Sequence, residues 1–253
     1  MSLTISARLV LWTYHGLSPS GTPEPFPETD RLFSAFVAAA GAGPYAEHTD
    51  AGLRIAAPYR RALEWLESTP PDRLAVPDHN LNTPGVTAYR LSGLLDRGNY
   101  SSPVAKDALA RSSLAGPVSW RWDTEPSPEI VAALRELAAE VAYIGEANST
   151  VVVDVSQGDD PLADELEKVG SGEPFPTASV PISTPQPGRL TALEAAHASL
   201  RPPIPPSDGK IALGEAERVA VRPGDALALT WYRRAAKQLG STFMPWDGVI
   251  VLE

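Results

Sequence analysis

Leu3, Ile5, Ala7, Leu9 and Leu11 alternate with Thr4, Ser6, Arg8 and Val10, the period of a strand with one buried face. A Gly/Pro-rich turn runs from Gly16 to Pro27. After it, Thr29 or Asp30 can cap a helix whose Leu32, Phe33, Phe36, Val37 and Ala40 share one face, with Gly41 and Gly43 ending it. A further helical pattern, Tyr59 to Ser68, puts Leu63 and Leu66 on one side, Trp65 near the boundary, and Arg60 and Arg61 near the start; Pro70 and Pro71 stop it. Arg73 to Val76 reads as a second strand and Pro117 to Asp123 as a third, whose Trp120 and Trp122 fall on one side and belong in the core. Pro126 to Val141 carries Ile130, Leu134, Leu137 and Val141 at helical spacing, and Thr150 to Val155 is a Val-rich fourth strand.

Leaving the extra helix aside, the order is β-α-β-β-α-β. That order predicts an α+β, ferredoxin-like domain over residues 1–155: an antiparallel four-stranded sheet with helices on one face. Between strands two and three lies a polar excursion from Asp78 to Gly116, too long for an ordinary hairpin loop and without apolar periodicity. Residues 156–253 shift to Gly, Asp, Pro and Ser and read as a linker and C-terminal extension. Within it the pattern predicts a short acidic helix around Pro161 to Val169, a helix from Arg189 to Leu200, a proline-rich break from Arg201 to Pro206, and an apolar strand-like run from Asp247 to Glu253. That last run reads as a strand completing a sheet or as a boundary before a longer protein.

The 253 residues, 43% of them apolar, are enough for a real core. No leader and no apolar run of membrane-spanning length is visible, so the expected location is the cytoplasm, away from any membrane. Cys is absent, which excludes disulfides, thiolate catalysis and Cys-based metal sites. The net charge of −10 argues against a polyanionic partner until it is divided. From Arg54 to Arg121, nine basic residues face six acidic ones, so this stretch is +3 and the remainder −13.

The excursion carries Arg90, Arg97, Lys106 and Arg111 interleaved with Tyr89 and Tyr100. Cations for phosphate and rings for unstacked bases are what single-stranded RNA requires, although a solvated loop has the same composition. Arg31, in the first turn of helix one, suits a phosphate or an ion pair with Glu28 or another acid, and Arg60 and Arg61 pose the same choice. Asn148 and Ser149 could bond RNA or close the turn before strand four. Tyr14 and His15 are adjacent, as a metal-free ribonuclease could use for acid–base work, or they shape a turn. The histidines His15, His48, His79 and His197 have no metal-ligand spacing, Asp159 and Asp160 decorate an acidic linker, and no nucleotide- or cofactor-binding fingerprint is present. No cofactor or metal is expected.

Four segments carry a family resemblance: Tyr14-His15-Gly16; Phe26-Pro27-Glu28-Thr29-Asp30-Arg31-Leu32-Phe33 continuing to Ala39; Ala62-Leu63-Glu64-Trp65-Leu66-Glu67 before Pro70-Pro71; and Val141-Ala142-Tyr143-Ile144-Gly145-Glu146-Ala147-Asn148-Ser149. Pro187-Gly188-Arg189-Leu190 through Ala196 adds a fifth. Together they resemble the N-terminal half of type I-G (formerly I-U) CRISPR-associated proteins, in which a Cas-five domain is fused to a Cas-six domain. Glu146 stands where that family usually has Arg, and the chain stops where the Cas-six half would begin. The resemblance implies a non-catalytic subunit that binds the five-prime handle of the guide RNA. It further implies a thumb-like hairpin docked on Cas-seven backbone subunits, contact with a Cas-eight large subunit, and an indirect part in target DNA recognition. The alternatives are a metal-independent repeat endoribonuclease using Tyr14 and His15, and a scaffold that touches only protein.

Overall fold

A computed structural model describes residues 2–18, 22–49, 52–82, 87–90, 95–96, 99–100, 104–107, 111–158, 165–170, 179–200 and 226–234. The elements of the first half are β1 (Leu3–Leu9), β2 (Thr13–Tyr14), α1 (Thr29–Ala40), β3 (Ala46–Thr49), β4 (Gly52–Ile55), α2 (Ala57–Ser68) and β5 (Arg73–Ala75). The excursion supplies β6 (His79–Asn82), β7 (Thr87–Arg90), β8 (Leu95–Asp96), β9 (Asn99–Tyr100), β10 (Val104–Asp107) and β11 (Arg111–Leu114). Then come β12 (Val118–Trp122), α3 (Pro128–Glu140), β13 (Val151–Gln157), β14 (Glu165–Lys168), β15 (Ser179–Pro185), α4 (Arg189–Leu200) and β16 (Leu227–Arg234).

The fold is mixed α+β. Its main sheet has seven strands in the order β13-β1-β12-β5-β14-β16-β15, with every neighbouring pair antiparallel. The alternation in β1 sets what each face does. Leu3, Ile5 and Ala7 lie opposite Trp122, Trp120 and Val118 on one side, and Ile5 and Ala7 lie opposite Val155 and Val153 on the other, so this face is apolar up to Gln157 at its end. Phe33 and Phe36 of α1, Leu63 and Leu66 of α2, and Leu134 and Leu137 of α3 join these residues in a single buried cluster. Trp120 and Trp122 are both fully enclosed, and Trp122 Nε1 donates to Thr69 O at 2.6 Å. The opposite face is polar and bonded within itself: Ser6 and Ser119 share a 2.7 Å hydrogen bond, and buried Arg121 reaches Ser2 and Glu165.

The described strands beyond residue 157 extend the same sheet. Leu166 pairs with Leu74 of β5, β16 pairs with both β14 and β15, and the buried Tyr232 hydroxyl donates to Pro71 O at 2.7 Å. The acidic helix expected around 161–169 is therefore corrected: 165–168 is strand β14, and 161–164 lie outside the described residues. The open edge of β5 offers backbone partners and an apolar slot for Leu166, which outweigh a weak local helical preference. A second correction concerns the start of α1. Its N-cap is Glu28, without a side-chain capping bond, while Thr29 and Asp30 lie inside the first turn and are buried. Arg201–Pro206, Asp247–Glu253, Asp159 and Asp160 lie outside the described residues.

The excursion is paired. β6 with β11, β7 with β10, and β8 with β9 form three successive antiparallel ladders nested about residues 97–98. At its base β11 also pairs with β2, which ties the hairpin to the segment holding Tyr14. Because the alternation here is not hydrophobic against polar, periodicity alone could not distinguish this hairpin from a loop.

Candidate functional site

Three of the motif segments meet around Tyr14. Its side chain is fully buried, and its hydroxyl donates to Glu24 Oε2 at 2.6 Å. Arg31 grips the same carboxylate, with Nη2 to Glu24 Oε1 at 2.8 Å and Nε to Oε2 at 3.1 Å, and also donates to Leu17 O. The turn after β2 is closed by Glu24 N–H donating to Gly16 O at 3.0 Å. A Cβ on Gly16 would run into the Tyr14 hydroxyl, so only glycine lets that turn fold over the ring. Burial, and then the Glu24 carboxylate beside it, raise the Tyr14 phenol far above the ordinary phenol range. The phenol therefore keeps its proton, which it shares with Glu24 as a hydrogen bond.

The 144–149 segment closes on the same place. Ser149 is fully buried, and its Oγ accepts from His15 N–H at 2.8 Å, while Glu146 N–H donates to His15 O at 3.1 Å. Gly145 has φ +82°, and a Cβ there would lie 2.7 Å from His15 O and 3.0 Å from the Tyr14 ring. Ser149 thus takes the turn-closing alternative. Asn148, one residue earlier, is exposed.

The other two motif segments also meet each other. Glu67, at the end of α2, accepts from Gly188 N–H at 3.2 Å and Leu190 N–H at 2.8 Å, so a buried carboxylate caps α4 from another helix. Arg189 pairs with Asp30 at 3.2 Å, both largely buried, and Ser183 N–H donates to Glu28 Oε2 at 2.7 Å. Glu67 and Asp30 were missed in the sequence because they sit in no local motif with their partners, whose separations reach 159 residues, whereas Glu24, seven residues from Arg31, is an acid of the kind expected there.

The predicted cations divide into two sets. In the body, Arg31 is held by Glu24, and Arg60 by Glu64 at 3.3 Å and by Glu194. Arg61 is exposed on α2 beside Pro58, Ser127 and Glu129, close enough to Glu129 to interact with its charge. On the hairpin, Arg111 is exposed and forms no ion pair among the described residues. Arg90 and Lys106 lie on the middle ladder, where Arg90 pairs with Val104 and Lys106 with Ala88, so backbone register assigns both positions to one face. Asp107 belongs to the other alternation. Arg97 lies outside the described residues.

Beside the Tyr14 cluster a cleft of about 410 Å³ opens between α1 and residues 140–145. Its floor is Ser34, Ala35, Ala38 and Ala39, its walls include Tyr45 and Tyr143, and Arg31 and Glu140 also line it. The Tyr45 hydroxyl donates to Glu140 Oε1 at 3.3 Å. No helix of the described residues is long and apolar enough to cross a membrane. No protein-family model matches this chain, and no curated protein matches it either.

Proposed function

We propose that this chain is a Cas-five-type subunit of a type I CRISPR surveillance complex that binds the five-prime handle of the guide RNA through its nested hairpin. The observation that carries the reading is the division of the cations: Arg31 and Arg60 are taken up by Glu24, Glu64 and Glu194, while Arg111 is exposed on β11 and the register puts positions 90 and 106 on one face of the next ladder. A ladder with basic residues at positions of one face suits a phosphate backbone, and its Tyr89 and Tyr100 positions suit unstacked bases. The ferredoxin-like assignment of the first half belongs to the same proposal. Counting β1, β5, β12 and β13 as strands one to four, their order in the sheet is four-one-three-two, with helices crossing on one face. Cas-seven and Cas-eight subunits are the protein partners in this reading, target DNA is met indirectly, and no cofactor is needed.

The test is binding of a labelled guide RNA over a series of salt concentrations, comparing the native protein with a variant in which Arg90, Arg97, Lys106 and Arg111 are Ala. Native binding should weaken steeply with salt, and the variant should bind at least tenfold more weakly with a flatter slope. Equal affinity and equal slope would remove the hairpin from the site.

A further inference from the structure

The turn Leu9–Trp12 joins β1 to β2, and Trp12 N–H closes it on Leu9 O at 3.3 Å. Positions of this kind ordinarily go to Gly, Asn or Asp. Here they hold Val10, Leu11 and Trp12, and all three side chains face solvent, at 48%, 67% and 45% exposure. Trp12 moreover adopts φ +57°, the left-handed region that a bulky residue rarely enters. A strained backbone presenting three large apolar side chains where glycine would relax the turn works against both stability and solubility, the kind of local conflict retained at functional sites.

The patch continues beyond the turn. Val10 N–H donates to Thr150 O, and Thr150 bridges to Tyr143, which is itself exposed. Val152, opposite Arg8 and next to Val10 on the outer face of the sheet, is exposed as well. Trp and Tyr set among aliphatic residues have the composition of a protein-contact hot spot. The charged residues nearest them, Glu140 beside Tyr143, Glu146 three residues on, Asp154 next to Val152 on its face of β13, against Arg8 and Arg111 of β11, leave a net acidic balance, and two copies of a chain of net charge −10 would repel.

From this geometry we infer that the Val10–Trp12 turn, with Tyr143 and Val152, is a protein-docking knob that enters an apolar socket rimmed by Lys and Arg on a different protein. The inference does not rest on the RNA reading. If the RNA reading is wrong, the knob still has its socket.

The experiment places the photo-crosslinker p-benzoylphenylalanine at position 11 of the full chain in the cell that encodes it, with position 229, exposed on β16, as the control site. The expected result is one dominant adduct whose crosslinked peptide maps to apolar residues flanked by Lys or Arg on one identified protein. That adduct should be absent from position 229 and fall at least tenfold when Trp12→Gly is added. Purified W12G should melt no lower than the native protein, since glycine relieves the turn. An adduct with this chain's own peptide, an adduct with nucleic acid, adducts equal to those of position 229, or a W12G that melts well below native each overturns the inference.

Discussion

At the residue scale, the cluster around Tyr14 makes the sharpest demands. Gly145→Ala combines a left-handed φ with a Cβ 2.7 Å from a carbonyl oxygen. It should cost about 1–3 kcal/mol in urea denaturation, whereas Ala at Gly170, where a Cβ meets nothing, should be nearly neutral. Tyr14→Phe leaves the buried Glu24 carboxylate one donor short, for an expected loss of about 1–3 kcal/mol. The same hydroxyl sets an alkaline limit. Tyr14 and Tyr232 are both held protonated, chiefly by burial, so the folded state keeps protons that the unfolded chain releases above about pH 10. Stability is therefore full below that pH and falls as pH rises through it, and Y14F should make the fall shallower when followed by circular dichroism.

At the element scale, α1 begins with two carboxyls that hold the C-terminal part of the chain. Burial raises Glu28, which accepts from Ser183, and also Asp30, which pairs with Arg189. A raised carboxyl favours the protonated folded state, so between the ordinary carboxylate range and the raised value this contribution to stability declines as pH increases. Glu28→Gln keeps an acceptor for Ser183 N–H without the charge. It should flatten that decline in urea midpoints measured from pH 4 to pH 7. Glu67 does for α4 what a local cap does for other helices, with two backbone N–H groups on one buried carboxylate. Glu67→Ala should lower stability by about 1–3 kcal/mol. α1 and its first-turn acids were visible as a helix from Leu32, Phe33 and Phe36, but the partners of those acids were not, because no local pattern encodes a contact across 159 residues.

At the scale of the whole molecule, the sheet runs without interruption from β13 to β15, and the strands after residue 156 cover the β5 edge. A chain ended after Gly158 would leave Leu74 uncovered on that edge and free Asp30, Glu28 and Glu67 of their partners. It should bind more ANS and aggregate more readily than the full chain. Local pattern by itself determined the strands and helices whose apolar period is strong, the burial of Trp120 and Trp122, and the basic character of the excursion, because each depends on side chains close in sequence. Tertiary structure alone decided that Arg31 and Arg60 serve acids within the protein, that Ser149 closes a turn against His15, that 165–168 is a strand, and that the excursion is a ladder of three paired segments. Hydrogen bonds, ion pairs and strand pairing join residues far apart in the chain, and which partner wins is set by which surfaces the packed sheet brings within reach.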